Sequence, residues 1–228
     1  LLCACEKGYD LPLKEAEQAE AATECKKIME QIQSIYKLAD KGEGFNVVLQ
    51  DETMFEMQRA VIETGCPASV TIAYSDMGNY EKADQFLTDC KKGKSGSVVI
   101  YDVRQDGGIN RMKFIYDGTD MSVVSTSGVW VENDAPGIAY TTYTRIKEWE
   151  YKEKGWFCYE LCVPEPPEVS EIVDGSCLIR IKPMTEEQRE MSKLCVQGIG
   201  YQGNNLLCSN WNLDHLDVLD YNGLYEYL

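Results

Sequence analysis

The stretch that decides the fold reads MKFIYDGTDMSVVSTSGVWVEN and runs from Met112 to Asn133. Apolar and polar residues alternate in its first part, and this period of two is typical of a half-buried β-strand. Asp117-Gly118 then supplies a turn signal before a second run rich in Val and Ser. The stretch therefore predicts strands joined by tight turns, which is the pattern of an antiparallel meander.

The same texture continues on both sides of this stretch. Short β-rich runs separated by Gly, Asp-Gly or Pro-Gly signals indicate six strands between about 97 and 163. Ser127-Gly128 is interpreted as the break between the third and fourth of them. Residues from Cys177 to Lys182 alternate again and predict a seventh strand.

Helices are predicted ahead of the meander. The longest runs from Leu13 to Lys41, because apolar residues recur there at spacings of three and four and form one stripe: Cys25, Ile28, Met29, Ile32, Ile35, Tyr36 and Ala39. A short strand is predicted over 45–49. Asp51 and Asn79 are expected to cap a second and a third helix, and Thr185 is expected to cap another that runs to about Val196.

These elements predict an α+β fold in which an antiparallel meander of six or seven strands packs on the long N-terminal helix and on shorter helices. Residues 13–228 are read as a single domain. Its helical part covers about 13–93, its meander about 95–183, and a helical or irregular C-terminal part covers 184–228. Residues 1–12 are assigned to a signal-peptide remnant and a lipid tether.

Charge excludes one class of partner. The 228 residues carry 38 acidic and 22 basic side chains, which give a net charge of −16. Nucleic-acid binding requires clustered Lys and Arg to displace counterions, so none is expected. The sequence contains no run of 18 apolar residues, so no membrane-spanning helix is predicted.

Leu2-Cys3-Ala4-Cys5 resembles the lipobox of bacterial lipoproteins, in which a small residue precedes the cysteine that receives diacylglycerol. The resemblance implies that Cys5 is the lipid attachment site and that Leu1 to Ala4 end the signal peptide. It also implies an extracytoplasmic protein of an uncharacterised Gram-positive family, anchored to the cell membrane. Two acyl chains anchor a protein stably, since each buried methylene contributes about 0.8 kcal/mol.

The stretch from Met112 to Asn133 also resembles the curved antiparallel sheets of the LolA/LppX-like lipoprotein carriers and sensors. In that group a curled sheet wraps a helix and leaves an apolar cavity. The resemblance implies a ligand held on the curved sheet.

Candidate chemistry is sparse. Eight cysteines remain after Cys3 and Cys5, and they are interpreted as mostly free thiols, because eight cysteines allow 105 pairings and show no dense framework spacing. Cys158 and Cys162, about 13 Å apart in a strand, are too distant for a disulfide. The single histidine, His215, lacks a nucleophile motif. No catalytic residue, metal site or cofactor is predicted.

Aromatic residues crowd one section of the meander. Tyr143, Trp149, Tyr151 and Trp156 are the expected ligand contacts if the sheet presents a binding platform, since each combines an apolar body with a polar tip. The alternative, favoured by the frequency of cross-strand aromatic pairs, is that these side chains fill the core and cover the sheet.

The sequence as a whole predicts a lipid-anchored, non-enzymatic binding protein whose partner is a small molecule, a cell-wall component or another protein. Two alternatives stay open. One is an envelope hydrolase that uses acidic residues, which would show two or more carboxylates converging in a cleft with raised pKa values. The other is a structural or assembly lipoprotein with a large apolar patch.

Overall fold

A computed structural model describes residues 14–165 and 168–190 of the chain. Its elements follow in the order α1 (Glu15–Leu38), α2 (Asp51–Ile62), β1 (Ala68–Val70), α3 (Glu81–Cys90), β2 (Gly96–Val103), β3 (Ile109–Tyr116), β4 (Met121–Val131), β5 (Ala135–Tyr151), β6 (Trp156–Glu165) and β7 (Glu168–Arg180). This architecture confirms the predicted α+β class and the long N-terminal helix.

The strands form one seven-stranded sheet in the order of the chain. Strands β2 to β7 are antiparallel neighbours, and only the short β1 pairs in parallel, with β2. The predicted break at Ser127-Gly128 was wrong, because both residues lie inside β4. A register shift against β5 occurs at that point, so the pair marks a β-bulge rather than a turn.

Of three local predictions of secondary structure, two were wrong and one is confirmed. The strand expected at 45–49 was wrong, because the segment between α1 and α2 has no strand. Asn79 does not cap α3; its amide instead donates to the carbonyls of Ile62 and Cys66, at 2.7 and 3.0 Å. The cap at Thr185 is confirmed, since its hydroxyl accepts a hydrogen bond from the backbone N–H of Gln188 at 3.2 Å and a helix begins at Glu186.

One face of the sheet, here called the convex face, is covered by α1 and α2. The predicted stripe of α1 is buried on it: Cys25, Ile28, Met29, Ile32 and Tyr36 join one aliphatic core. Helix and sheet approach closely at Gly128, where an added Cβ would lie 2.5 Å from the Met29 sulfur. A side chain at this position would have to displace the Met29 side chain and would crowd Cys25, so glycine allows α1 and the sheet to approach closely.

The opposite, concave face buries a second core, rich in aromatic residues. Phe114 of β3 contacts Phe157 and Tyr159 of β6, with ring centroids 5.3 and 5.4 Å apart. Three strand spacings would separate β3 from β6 by about 14 Å in a flat sheet. The sheet therefore curls strongly toward this face, and α3 packs against β2 at one end of it.

The segment after β7 ties the two edges of the curled sheet together. Arg189 forms an ion pair with Asp76 at 2.6 Å and donates to the Tyr74 carbonyl at 2.9 Å. The other oxygen of Asp76 accepts from the backbone of Met184 at 2.9 Å. Residues 181–190 thus bridge from the β7 edge to the loop that follows β1.

Candidate functional site

The concave face changes from apolar to polar over three rows of cross-strand neighbours. The first row is Val98, Phe114, Val123 and Thr144, the second is Ile100, Met112, Ser125 and Thr142, and the third is Asp102, Asn110, Ser127 and Tyr140. Successive rows are about 7 Å apart along a strand. The last set, here called the polar row, is the candidate functional site.

Asp102 is the central ionisable group of the polar row. One carboxylate oxygen accepts from the Ser69 hydroxyl at 2.8 Å, and the other accepts from the Thr71 hydroxyl at 3.2 Å. Burial raises the pKa of the Asp102 carboxyl above its usual range, although these two hydrogen bonds and the charge of Arg104 oppose the shift. Such a group is typical of binding and catalytic sites.

Arg104 lies above the polar row and organises it. Its Nε and Nη2 donate to the two oxygens of Asp106, both at 3.1 Å. Its Nη1 donates to the side chains of Asn110 and Ser127, both at 2.8 Å, and Nη2 also donates to the Gly128 carbonyl at 3.1 Å. All five N–H groups of the guanidinium are therefore engaged, and none is directed at Asp102.

Tyr159 links the polar row to the aromatic core. Its side chain is buried, and burial raises the pKa of its hydroxyl, with further contributions from Cys177 and from the negative charge of Asp102. Cys177 is the cross-strand neighbour of Tyr159 and forms a hydrogen bond with it. The site thus combines the carboxyl group of Asp102 and the Arg104–Asp106 ion pair with several hydroxyl groups.

The four aromatic residues predicted as ligand contacts are divided between the two faces. Trp149 and Tyr151 lie on the concave face, where Trp149 packs on Phe157 and the Tyr151 hydroxyl donates to Asp84 at 2.5 Å. Trp156 precedes Phe157 in the same strand, so it faces the convex side, where Arg180 stacks on its ring. Their role in binding stays a prediction.

Tyr143 lies on the convex side as well. It is the cross-strand neighbour of Val124, which pairs with Lys113 on the face opposite Phe114. The structure therefore does not bring the four predicted residues together around one ligand.

The described cysteines behave as small apolar side chains. Cys25, Cys66, Cys90, Cys158 and Cys162 form no disulfide, as the sequence predicted. Burial raises the pKa of the Cys25 and Cys90 thiols to about 11, so both stay protonated at neutral pH and are poor nucleophiles.

A second buried charge lies beneath α1 on the convex face. Arg111 is 2% exposed, and its Nε donates to Glu24 of α1 at 2.9 Å, while Nη2 contacts the same oxygen. Its Nη1 is buried and has no hydrogen-bond partner within the described ranges. Glu24 thus compensates the charge of Arg111 but leaves one nitrogen of it unsatisfied.

Several large apolar side chains are exposed at the end of α1 and in the loop that follows it. Leu38 is 89% exposed and Phe45 is fully exposed, and Val48 is about half exposed. Among residues 14–165 and 168–190, no three Cys, His, Asp or Glu side chains converge as a metal site. No helix in these ranges is long and apolar enough to cross a membrane.

Comparison with known proteins places the chain in a family. Residues 18–228 match the family of unknown function DUF6070. The chain belongs to this family. No curated protein and no solved structure is significantly similar to it.

Sequence reasoning missed Asp102, although a signal was present. Asp102 interrupts the apolar strand SVVIYDV, and alternation places it on the same face as Val98 and Ile100. Its partners Ser69 and Thr71 lie more than 30 positions earlier in the chain. Cys5, Cys195, Cys208 and His215 fall outside the described residues.

Proposed function

We propose that this protein is a lipid-anchored, extracytoplasmic binding protein that holds a polar ligand at the polar row of its concave face. The observation that carries the proposal is the position of Asp102, which is a partly buried carboxyl group on a curled sheet with hydroxyl groups around it. Ligand sites are usually concave and largely apolar, with a small number of converging polar groups that orient the ligand.

The direction of α1 supports this location. Cys25 lies level with the polar row, because its sulfur is near Ile109 and Gly128. Tyr36 lies farther along, beside Gly107 and Trp130. The N-terminal end of α1 therefore lies about 15 Å from the level of the polar row, in the direction of the aromatic end of the sheet, since ten helical residues precede Cys25. A lipid on Cys5 would thus be joined to the end of α1 that points away from the polar row.

The bonding of Asp102 favours binding over hydrolysis. A hydrolase that uses acidic residues needs a second carboxyl group facing the first. The groups bonded to Asp102 are the hydroxyls of Ser69 and Thr71, and the nearby Asp106 is held by Arg104. We therefore propose a binding role without catalysis.

The anchor is tested by acylation in a bacterial host that expresses the gene with its complete leader. We expect an alkyne-labelled fatty acid to be incorporated, and Cys5→Ser to abolish the label and release the protein from the membrane fraction. Cys3→Ser is the matched control, because it removes a thiol two positions away and should keep the label. Label that persists in Cys5→Ser would refute the anchor.

A further inference from the structure

We infer that the ligand of the polar row carries a protonated primary amine and that the Asp102 carboxylate receives it. This inference rests on the proposed binding function and names the chemical class of the ligand. The starting point is a comparison of charges: Asp102 is partly buried, yet both groups bonded to it are neutral hydroxyls. Buried charges in proteins are normally paired with an opposite charge.

The chain supplies no cation for Asp102 within the described part of the site. Arg104 is the basic side chain whose charge acts on Asp102, and its N–H groups are all donated to Asp106, Asn110, Ser127 and Gly128. Arg104 and Asp106 also neutralise each other. A cationic ligand would therefore supply the positive charge that the described side chains do not place on Asp102.

The hydrogen-bonding groups around Asp102 suit an ammonium better than other cations. The hydroxyls of Ser69 and Thr71 donate to the carboxylate, so their own oxygens keep lone pairs that can accept. An ammonium has three N–H donors, and these match one carboxylate oxygen and two hydroxyl oxygens. A guanidinium instead pairs in one plane with both carboxylate oxygens, so it makes less use of the two hydroxyl oxygens beside them.

A divalent metal ion and an anion are both poor fits. Calcium takes six to eight oxygen ligands, several of them from carboxylates. Over residues 14–165 and 168–190, Asp102 has no pair of further metal-binding side chains beside it. An anion would be repelled by the carboxylate and could displace no N–H from the saturated Arg104.

Aromatic side chains at the same site favour a cation further. Tyr140 ends the polar row and is 56% exposed, and Tyr159 is close enough for the Asp102 charge to affect its ionisation. Tyrosine rings attract ammonium groups that approach their faces. An amine bound at the polar row would therefore find an aromatic side chain as well as polar groups along that row.

The amine could belong to a small molecule or to a lysine side chain of a polypeptide, and probes distinguish the two sources. Isothermal titration of the full chain at pH 7.5 would use n-butylamine for the first and N-acetyl-lysine amide for the second. The matched neutral and anionic probes are n-butanol and butyrate. We expect saturable binding of at least one amine and none of n-butanol or butyrate.

Substitutions test the role of Asp102 directly. Asp102→Asn should weaken amine binding by on the order of tenfold or more, because the countercharge is lost while the shape is kept. Asp120→Asn is the matched control: it makes the same change in net charge in the turn between β3 and β4, and should leave the affinity unchanged. Circular dichroism of both variants shows whether they fold.

Each result of the titration has a defined meaning. Binding that is equal in Asp102→Asn, or absent for both amines, would overturn the inference. Asp102-dependent binding of n-butanol or butyrate would overturn the amine class while leaving the proposed binding site intact. Acylation at Cys5 does not depend on any of these outcomes, so failure of the anchor and failure of the amine site are separable.

Discussion

Two buried charges, one on each face of the sheet, are treated in opposite ways. On the convex face, Arg111 lies under α1 and is paired with Glu24 of that helix. On the concave face, Asp102 lies among hydroxyls, and no basic group within residues 14–165 and 168–190 is bonded to it. Arg111 holds α1 to the sheet through an ion pair. Asp102 instead joins β1 and β2 through a hydroxyl group, and the described residues supply no ion pair for it.

The difference separates a structural charge from a candidate functional one. A buried ion pair contributes little net stability, but its loss is costly because the remaining charge stays buried. Carboxyl groups whose pKa is raised by burial cluster at sites that bind a ligand or carry out a reaction. Three substitutions test this difference between Arg111 and Asp102, and we expect their effects on stability to decrease from the first to the third.

The largest effect is expected from Glu24→Gln. This substitution removes the countercharge of Arg111, whose Nη1 already lacks a partner within the described ranges. The Glu24 side chain is 44% exposed, so we expect a loss of about 2 kcal/mol in the free energy of unfolding, less than for a fully buried pair. Chemical denaturation at neutral pH measures it.

Glu20→Gln provides the control for this loss. Glu20 lies one turn earlier on α1 and is exposed, so the same change in charge should leave stability within about 0.5 kcal/mol. Equal effects of the two substitutions would show that Arg111 does not depend on Glu24, and the contrast between the two faces would disappear.

An intermediate effect of the opposite sign is expected from Asp102→Asn. The raised pKa of Asp102 means that the folded state binds its proton more tightly than the unfolded state. Ionisation therefore destabilises the fold above the folded-state pKa, and this cost disappears as pH falls below the unfolded-state value. At pH 7, Asn should therefore make the folded protein more stable than Asp does.

Denaturation at pH 7 and at pH 3 checks the sign of this prediction. The gain should shrink toward zero at pH 3, where both side chains are neutral. A loss of stability at pH 7 would mean that the charge of Asp102 is already compensated in the folded protein. Asp120→Asn again serves as the matched substitution and should show no such gain.

The smallest effect is expected from Ser69→Ala. The Ser69 hydroxyl stabilises the charged form of Asp102, so its removal should raise the pKa of that carboxyl further. The change in unfolding free energy should stay below about 1 kcal/mol. Carbon-13 NMR titration of the Asp102 carboxyl measures this pKa change. Ser97→Ala, at an exposed position, is the control and should leave the pKa of Asp102 unchanged.

Local periodicity accounts for the part of the fold that the sequence predicted. The spacing of Cys25, Met29, Ile32 and Tyr36 was sufficient to predict a helix with one buried face, and that face is buried. The alternation after Met112 was sufficient to predict strands. Turn signals were less reliable, because Ser127-Gly128 forms a bulge within β4, where the glycine lies against Met29 and Cys25 of α1.

The candidate site could not be predicted in the same way. Asp102 and Ser69 are joined by pairing between β1 and β2, whose strands are separated by α3. The sequence singled out aromatic residues of β5 and β6 instead, and the alternation of side chains divides them between two faces. A one-residue step in a strand reverses the face, so composition alone cannot tell which side chains meet.

The sequence by itself determined the long helix, most of the strands, the α+β class and the acidic character, because these follow from short-range periodicity and from counting charges. Only the tertiary structure decided that the sheet curls until Phe114 meets Phe157. It also decided that Arg111 is paired with Glu24, while the bonds of Asp102 within the described residues come from hydroxyl groups. The reason is that the compensation of a buried charge depends on groups brought together from distant parts of the chain.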